Sequence, residues 1–317
     1  MVKNTLIQWR TFFTGLLMGA ADLVPGISGG TVALLGGIYG RLLAAISRFD
    51  MHLLKLVRVR EIRKAWNYVD GLFLTNLAIG IISSILLLSQ VIAWLLYAQP
   101  LIMWSLFLGL IMVASALLLR ELYVQSQLRK YWLFVGLLVS VSLANLPILQ
   151  SVEGFSGLGY LWLMAAGAVA ISAMILPGIS GSFILLMLGI YPFLIARLAA
   201  LDFQVIAVFA LGCGFGLLVF SRLISYLLKR HTAAVMSLLA GLMMGSAVKL
   251  WPWKYTLSYR LNSAGLEVPL EQENLMPWTY SQITGADNQL MWCLVVCILA
   301  GLVVAKFGRI QLQDLAA

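Results

Sequence analysis

The pentapeptide Pro25-Gly26-Ile27-Ser28-Gly29 returns as Pro177-Gly178-Ile179-Ser180-Gly181, and both copies sit inside hydrophobic stretches that otherwise read as membrane-spanning helix. The correspondence runs on: Leu34, Gly37, Ile38, Tyr39 and Leu42 align with Leu186, Gly189, Ile190, Tyr191 and Leu194. Proline removes a backbone donor and glycine admits conformations that a helix forbids, so each copy marks a broken helix. In hydrocarbon a break leaves polar backbone groups bare, at several kcal/mol each, unless protein or a water-filled cavity receives them. Two such breaks at matching places in two half-chains point to a transporter's binding site.

Of the 317 residues, 62% are hydrophobic and 10% charged. No soluble domain of that length covers so much apolar surface, so the chain reads as a polytopic membrane protein. A span takes about 20 apolar residues, and candidates fall at 73–96, 101–119, 131–148, 204–228, 234–250 and 290–307. The broken segments, 9–47 and 158–200, are each long enough for two passes or for a re-entrant hairpin.

Lys3, Arg10, the basic run from Lys55 to Lys64, Arg129, Lys130, Lys229, Arg230, Lys306 and Arg309 all fall in connections or tails. One threading puts them on a single face, which the positive-inside rule makes cytoplasmic, with both termini there. The net charge of +9 is then mostly topology, not a nucleic-acid signature. The 55–64 cluster has a secondary reading, as a holder of anionic lipid. Cys213, Cys293 and Cys297 lie in the spans and His52 and His231 are scattered, so neither disulfides nor a metal site is expected. The N-terminal apolar run lacks a clean cleavage region and reads as retained.

Shifting the register pairs Gly80 with Gly212, Ser89 with Ser221 and Gly109 with Gly241, so the duplication covers roughly 12–119 and 164–250. Three ordinary crossings separate the motifs, and each broken segment contributes an even number. The second copy is therefore upside down relative to the first, an arrangement that suits alternating access. The expected fold is an all-α polytopic membrane protein of two inverted repeats, each opening with a Pro/Gly-broken re-entrant hairpin. Residues 1–150 hold the first (broken segment 9–47, basic loop 48–70, spans 73–148). Residues 151–317 hold the second (broken segment 158–200, spans 204–250, outer loop 251–289, last span 290–307).

The helices restarting after Ser28-Gly29-Gly30-Thr31 and Ser180-Gly181-Ser182 aim free N–H groups and hydroxyls at the breaks, chemistry that suits phosphate or carboxylate. The same residues also read as ordinary caps and tight helix crossings. Arg41, Arg197 and Arg222 are intramembrane candidates for a counter-charge, since an arginine fork fits phosphate oxygens. They read equally as side chains reaching the membrane surface from helix ends. Asp22 is the only acid in the first broken segment, with Met174 at the matching place. A carboxylate there reads as a carrier of coupling protons or sodium, or as a cap or partner for Arg41.

The runs Asp22-Leu23-Val24-Pro25-Gly26-Ile27-Ser28-Gly29-Gly30-Thr31 and Leu176-Pro177-Gly178-Ile179-Ser180-Gly181-Ser182, each followed by Gly-Ile-Tyr, resemble the bacterial polyprenyl-phosphate transporter family. The resemblance runs through most of the chain. It implies return of the lipid carrier undecaprenyl phosphate from the outer to the inner leaflet of the bacterial cytoplasmic membrane, with no cofactor beyond a coupling ion, H+ or Na+. On that reading Ser28, Gly29, Gly30, Thr31, Ser180, Gly181 and Ser182 cradle the phosphate, Arg41 or Arg222 balances its charge, Asp22 couples the cycle, and Pro25, Gly26, Pro177 and Gly178 break the helices. Membrane lipids are the other expected partners, and oligomeric state is left open. Two rivals remain: an undecaprenyl-pyrophosphate phosphatase-like enzyme, for which neither motif offers a nearby His or a Glu cluster, and a small-anion carrier or channel.

Overall fold

The computed structural model describes residues 8–24, 28–146, 159–261 and 267–308. Pro25 and Gly26 lie outside the described residues, as does the whole connection 147–158 before the second broken segment. The elements in order are α1 (Trp9–Asp22), α2 (Gly29–Leu35), α3 (Tyr39–Ser47), α4 (Met51–Arg58), α5 (Ile62–Tyr68), α6 (Gly71–Ala98), α7 (Pro100–Val124) and α8 (Lys130–Ala144). There follow α9 (Gly159–Ile175), α10 (Gly181–Met187), α11 (Tyr191–Ala199), α12 (Phe203–Ser246), β1 (Lys254–Leu261), β2 (Glu267–Asn274), α13 (Pro277–Thr284) and α14 (Leu290–Phe307). The protein is mostly helical. α6, α7 and α12 are each long and apolar enough to cross a membrane alone.

The two broken segments adopt one geometry. α2 and α10 have seven residues each, α3 and α11 nine. The bends between the short helices are 117° and 111°. Gly37 and Gly189, the matching residues of the two Gly-Ile-Tyr runs, both sit at φ +68, where a side chain is strained and glycine is not.

The expected spans 204–228 and 234–250 form one element, α12, interrupted by non-helical backbone at His231. Its 44 residues would reach about 66 Å if straight, twice the ~30 Å hydrocarbon core, and the interruption divides it into 203–230 and 232–246, roughly 42 and 22 Å long. The expectation of an all-α protein needs correction. β1 and β2 pair antiparallel within the 251–289 loop, because Tyr255, Leu257 and Tyr259 alternate with Thr256 and Ser258 at the period of a strand. The basic 48–70 connection is also not plain loop, since it folds as α4 and α5.

Glycines bring helices together in parallel pairs. A Cβ on Gly15 would lie 2.3 Å from the Leu77 carbonyl oxygen and one on Gly19 2.7 Å from that of Ile81, so α1 and α6 run in the same direction. Gly212 meets Met164 and Gly216 meets Ala168 in the same way, aligning α9 with the first part of α12. α6 thus begins at the end where α1 begins: α2 and α3 turn the chain back. The second part of α12 packs along α8, through Gly241 on Leu133 and Gly245 on Leu137, and α14 packs along α7, through Gly109 on Cys297 and Gly301 on Val113. The two sequence halves therefore interlock, each giving its last long helix to the other.

Tyr39, Phe73, Leu118, Leu122, Met236 and Leu239 are fully buried where these pairs meet. Leu86 and Tyr97 on α6 stand 75% and 89% exposed, as side chains facing lipid must.

Candidate functional site

The two breaks meet. Ser28 caps α2, accepting from the Gly30 N–H at 3.0 Å, and donates its own proton across to the Met174 carbonyl near the end of α9. Thr31 Oγ1 accepts from the Gly178 N–H at 3.1 Å. A Cβ on Gly30 would lie 2.4 Å from the Ile175 carbonyl oxygen. The carbonyl end of α9 thus abuts the N–H end of α2, so opposite helix-dipole ends face each other and satisfy each other's orphan groups.

Asp22 bridges its own break. Its Oδ1 accepts from the Gly29 N–H at 2.7 Å, tying the end of α1 to the start of α2. A Cβ on Gly29 would lie 2.6 Å from the other carboxylate oxygen, so a larger residue there would displace the Asp22 side chain. Among the described residues Asp22 has no ion-pair partner; Arg41, one of its expected alternatives, is bound elsewhere.

This arrangement divides the expected phosphate cradle. In the first copy, Ser28, Gly29, Gly30 and Thr31 are buried and their polar groups are largely spent on capping and on the other motif. In the second copy, the Ser180 and Ser182 hydroxyls bond, among the described residues, to each other, Oγ to Oγ at 2.9 Å, and the Ser180 side chain does not cap α10. Gly178, Ile179, Ser180 and Phe183 form one wall of a cleft of about 320 Å3, open space at its mouth included. The facing wall is Ser140, Leu143 and Ala144 of α8, with Ser246 and Lys249 at the end of α12. Lys249 Nζ sits 4.6 Å from the centre of the Phe183 ring and, among the described residues, has no carboxylate partner. Ser140, Ser180, Ser246 and Lys249 are thus the polar residues along an otherwise apolar cleft, and the Ser246 hydroxyl already donates to the Met243 carbonyl at 2.8 Å.

Neither expected counter-charge reaches this junction. Arg41 forks onto Asp70, with Nε to Oδ2 at 2.6 Å and NH2 to Oδ1 at 3.0 Å, and stacks 4.3 Å from the Phe73 ring centre. Arg222 donates to the carbonyls of Ser47 (3.3 Å) and Phe49 (2.7 Å), capping the end of α3. Arg197 pairs with Asp202 at 3.6 Å. Arg41 and Arg222 are thus hydrogen-bonded into the scaffold, and Arg197 is held by an ion pair.

Lys249 is the residue that sequence reasoning passed over, since it falls at the edge of the 234–250 span. A signal was present. Lys249 and Lys254 are basic residues on the face that the charge pattern otherwise leaves poor in them. Lys254 stands beside the cleft, donating to the Lys249 carbonyl at 2.7 Å with its ammonium 3.7 Å from the Trp104 ring centre. Asn274 of β2 donates to the Val248 carbonyl at 2.8 Å, so the strand pair is fastened to the backbone that presents Lys249.

The VCA0040-like family model, described as undecaprenyl phosphate translocase-like, matches residues 18–268. A polyprenyl-phosphate transporter of Vibrio cholerae serotype O1 is 40% identical over 300 residues, covering 95% of this chain and 96% of its own. A polyprenyl-phosphate transporter of Staphylococcus aureus is 32% identical over 259 residues, covering 77% and 87%. No solved structure matches. Both relatives are named as transporters and neither as an enzyme, in line with the reading that set hydrolysis aside. With its paired motifs inside the matched span and similarity along almost its whole length, this chain belongs to the undecaprenyl phosphate translocase-like family.

Proposed function

We propose that this protein carries polyprenyl phosphate, as undecaprenyl phosphate, from the outer to the inner leaflet of the bacterial cytoplasmic membrane, driven by a proton or sodium gradient. The observation that carries the reading is Lys249, a cation without a carboxylate partner among the described residues, at the cleft beside the meeting of the two breaks. The names of the relatives support the substrate. A bare phosphate pays several kcal/mol to leave water even after relaxation. The Lys249 ammonium and the hydroxyls of Ser140, Ser180 and Ser246 replace that water, while the prenyl tail remains in lipid.

The reading takes the halves, 1–150 and 151–317, as oppositely oriented, with the α4–α5 side cytoplasmic by the positive-inside rule. The matching geometry of the broken segments and the parallel pairs α1–α6 and α9–α12 support it. Because α8 and α14 are exchanged between halves, the halves cannot part as rigid bodies. The moving parts are then the outer pairs against the α7–α14 and α8–α12 scaffold.

Asp22 is the coupling group in this scheme. The hydrogen bond its side chain accepts from Gly29 survives if the carboxylate becomes an amide. Asp22→Asn therefore folds and still exchanges lipid, but its rate no longer responds to an imposed gradient. A gradient response equal to wild type would take Asp22 out of the mechanism. The function itself is tested in proteoliposomes by following leaflet exchange of undecaprenyl phosphate under separate proton and sodium gradients. The protein should accelerate exchange, and one gradient should drive it, without comparable phosphate or chloride flux. Small-anion flux without lipid exchange would instead support an anion carrier.

A further inference from the structure

We infer that the α4–α5 hairpin is a membrane-surface anchor that binds the anionic phospholipid headgroups of the leaflet it faces, independently of the transported lipid. Two short helices outside the bundle carry an apolar face that no described residue covers: Met51, Leu54 and Val57 on α4, with Ile62 and Trp66 on α5, are all exposed, Leu54 by 60%. A face of this kind on a membrane protein needs a cover, and an amphipathic helix with basic flanks lies in the headgroup boundary with its apolar side down.

The charge selects the occupant. Lys55, Arg58, Arg60, Arg63 and Lys64 lie within ten residues that contain one acid, Glu61, and that acid is held by Lys64 at 2.7 Å. Basic side chains against an anionic leaflet are attracted at about 1 kcal/mol each, roughly a fivefold gain in binding per charge. A zwitterionic surface or an acidic protein segment leaves either the charge or the apolar face unused.

The hairpin is built to hold its posture. Asp50 caps α4, accepting from the N–H groups of His52 (2.9 Å) and Leu53 (3.0 Å), while the Tyr68 hydroxyl of α5 donates to its other oxygen at 2.8 Å. The Leu53 bond first, helped by Tyr68 and His52, holds the Asp50 carboxyl below its ordinary pKa against a smaller opposing effect of burial. The cap is thus complete at neutral pH and lost only as pH falls through that lowered value. Arg48 donates to the Tyr68 carbonyl at 3.1 Å, and the Trp66 ring lies against Gly71 at the start of α6. The root of the hairpin is fixed to the bundle where Arg222 binds the Phe49 carbonyl.

The test uses the full-length protein in vesicles of phosphatidylcholine with and without phosphatidylglycerol. Bromine-labelled acyl chains on either lipid quench the fluorescence of nearby tryptophan, and the Trp66 component is wild type minus Trp66→Phe. At equal bromine content the phosphatidylglycerol label should quench Trp66 more strongly. The fivefold variant Lys55→Gln, Arg58→Gln, Arg60→Gln, Arg63→Gln and Lys64→Gln should erase that difference. It should also lose nearly all of the phosphatidylglycerol retained on the purified protein, since a roughly fivefold loss per charge compounds over the substituted positions, read by native mass spectrometry. Equal quenching by both lipids, no quenching by either, or unchanged phosphatidylglycerol retention would each overturn the assignment. No quenching by either would place the hairpin in water or against protein.

Discussion

Gly30→Ala is expected to cut transport roughly a hundredfold, at ~1.4 kcal/mol per factor of ten, while Gly214→Ala leaves it intact. Both substitutions add one methyl group, and only the surroundings differ. At Gly30 the new carbon would lie 2.4 Å from the Ile175 carbonyl oxygen and 3.1 Å from Ser28 Oγ. The first is backbone of the opposing motif, which has no rotamer to change. The contact between the two breaks must open, and overpacking of this kind costs about 1–3 kcal/mol, with backbone against backbone at the upper end. The Ser28 and Thr31 bonds across the junction stretch with it. At Gly214 nothing lies within 4 Å of the added carbon, and alanine suits a helix interior better than glycine. Initial rates of lipid exchange, with thermal stability in detergent as the companion measurement, separate the two. Wild-type exchange by Gly30→Ala would show that the close meeting of the breaks is unnecessary.

Lys249→Met should weaken apparent substrate affinity by roughly thirtyfold or more, because removing one member of a desolvated charge pair costs ~2–5 kcal/mol. Methionine preserves most of the apolar stem along Phe183, so packing is largely kept and the loss reports the charge. Lys249→Arg keeps a cation in the same cleft and should recover much of the affinity. The readout is the mole fraction of undecaprenyl phosphate giving half-maximal exchange. A variant that saturates like wild type would return the counter-charge to some other residue. Arg41 and Arg222 are poor replacements. Releasing Arg41 breaks a two-point ion pair with Asp70, and releasing Arg222 uncaps α3.

Much of this architecture is written locally. The broken segments foreseen at 9–47 and 158–200 appear as helices running from Trp9 to Ser47 and from Gly159 to Ala199, since proline, glycine and hydroxyl residues act within a few positions of themselves. The last span, 290–307, is α14 to the residue. What escaped has a different origin. α4 and α5 have eight and seven residues, too few turns for a period to stand out against a dense run of charge. The alternation from Tyr255 to Tyr259 was legible as a strand, but it sits in a loop between apparent spans where helix dominates the expectation. The partner of Arg41 was hidden because Asp70 is 29 positions away, in the connection rather than in a span. Nothing in an apolar helix says which other helix it will lie against, so the exchange of α8 and α14 emerges only in three dimensions. The site divided along the same line. The motifs announced the breaks, while the use of their hydroxyls depends on how α9 ends against α2, and Lys249 gains its meaning only when α8 and α10 close around it.

The central claim is that a lipid phosphate is solvated where the second break faces the end of α12. Its most direct test is photolabelling in native membranes with undecaprenyl phosphate carrying a diazirine next to the phosphate. The account predicts adducts in the segments around Gly178–Phe183 and Ser246–Lys249, suppressed by excess unlabelled lipid and reduced in Lys249→Met. Labelling confined to lipid-facing positions such as Leu86 and Tyr97, and insensitive to competition, would contradict it.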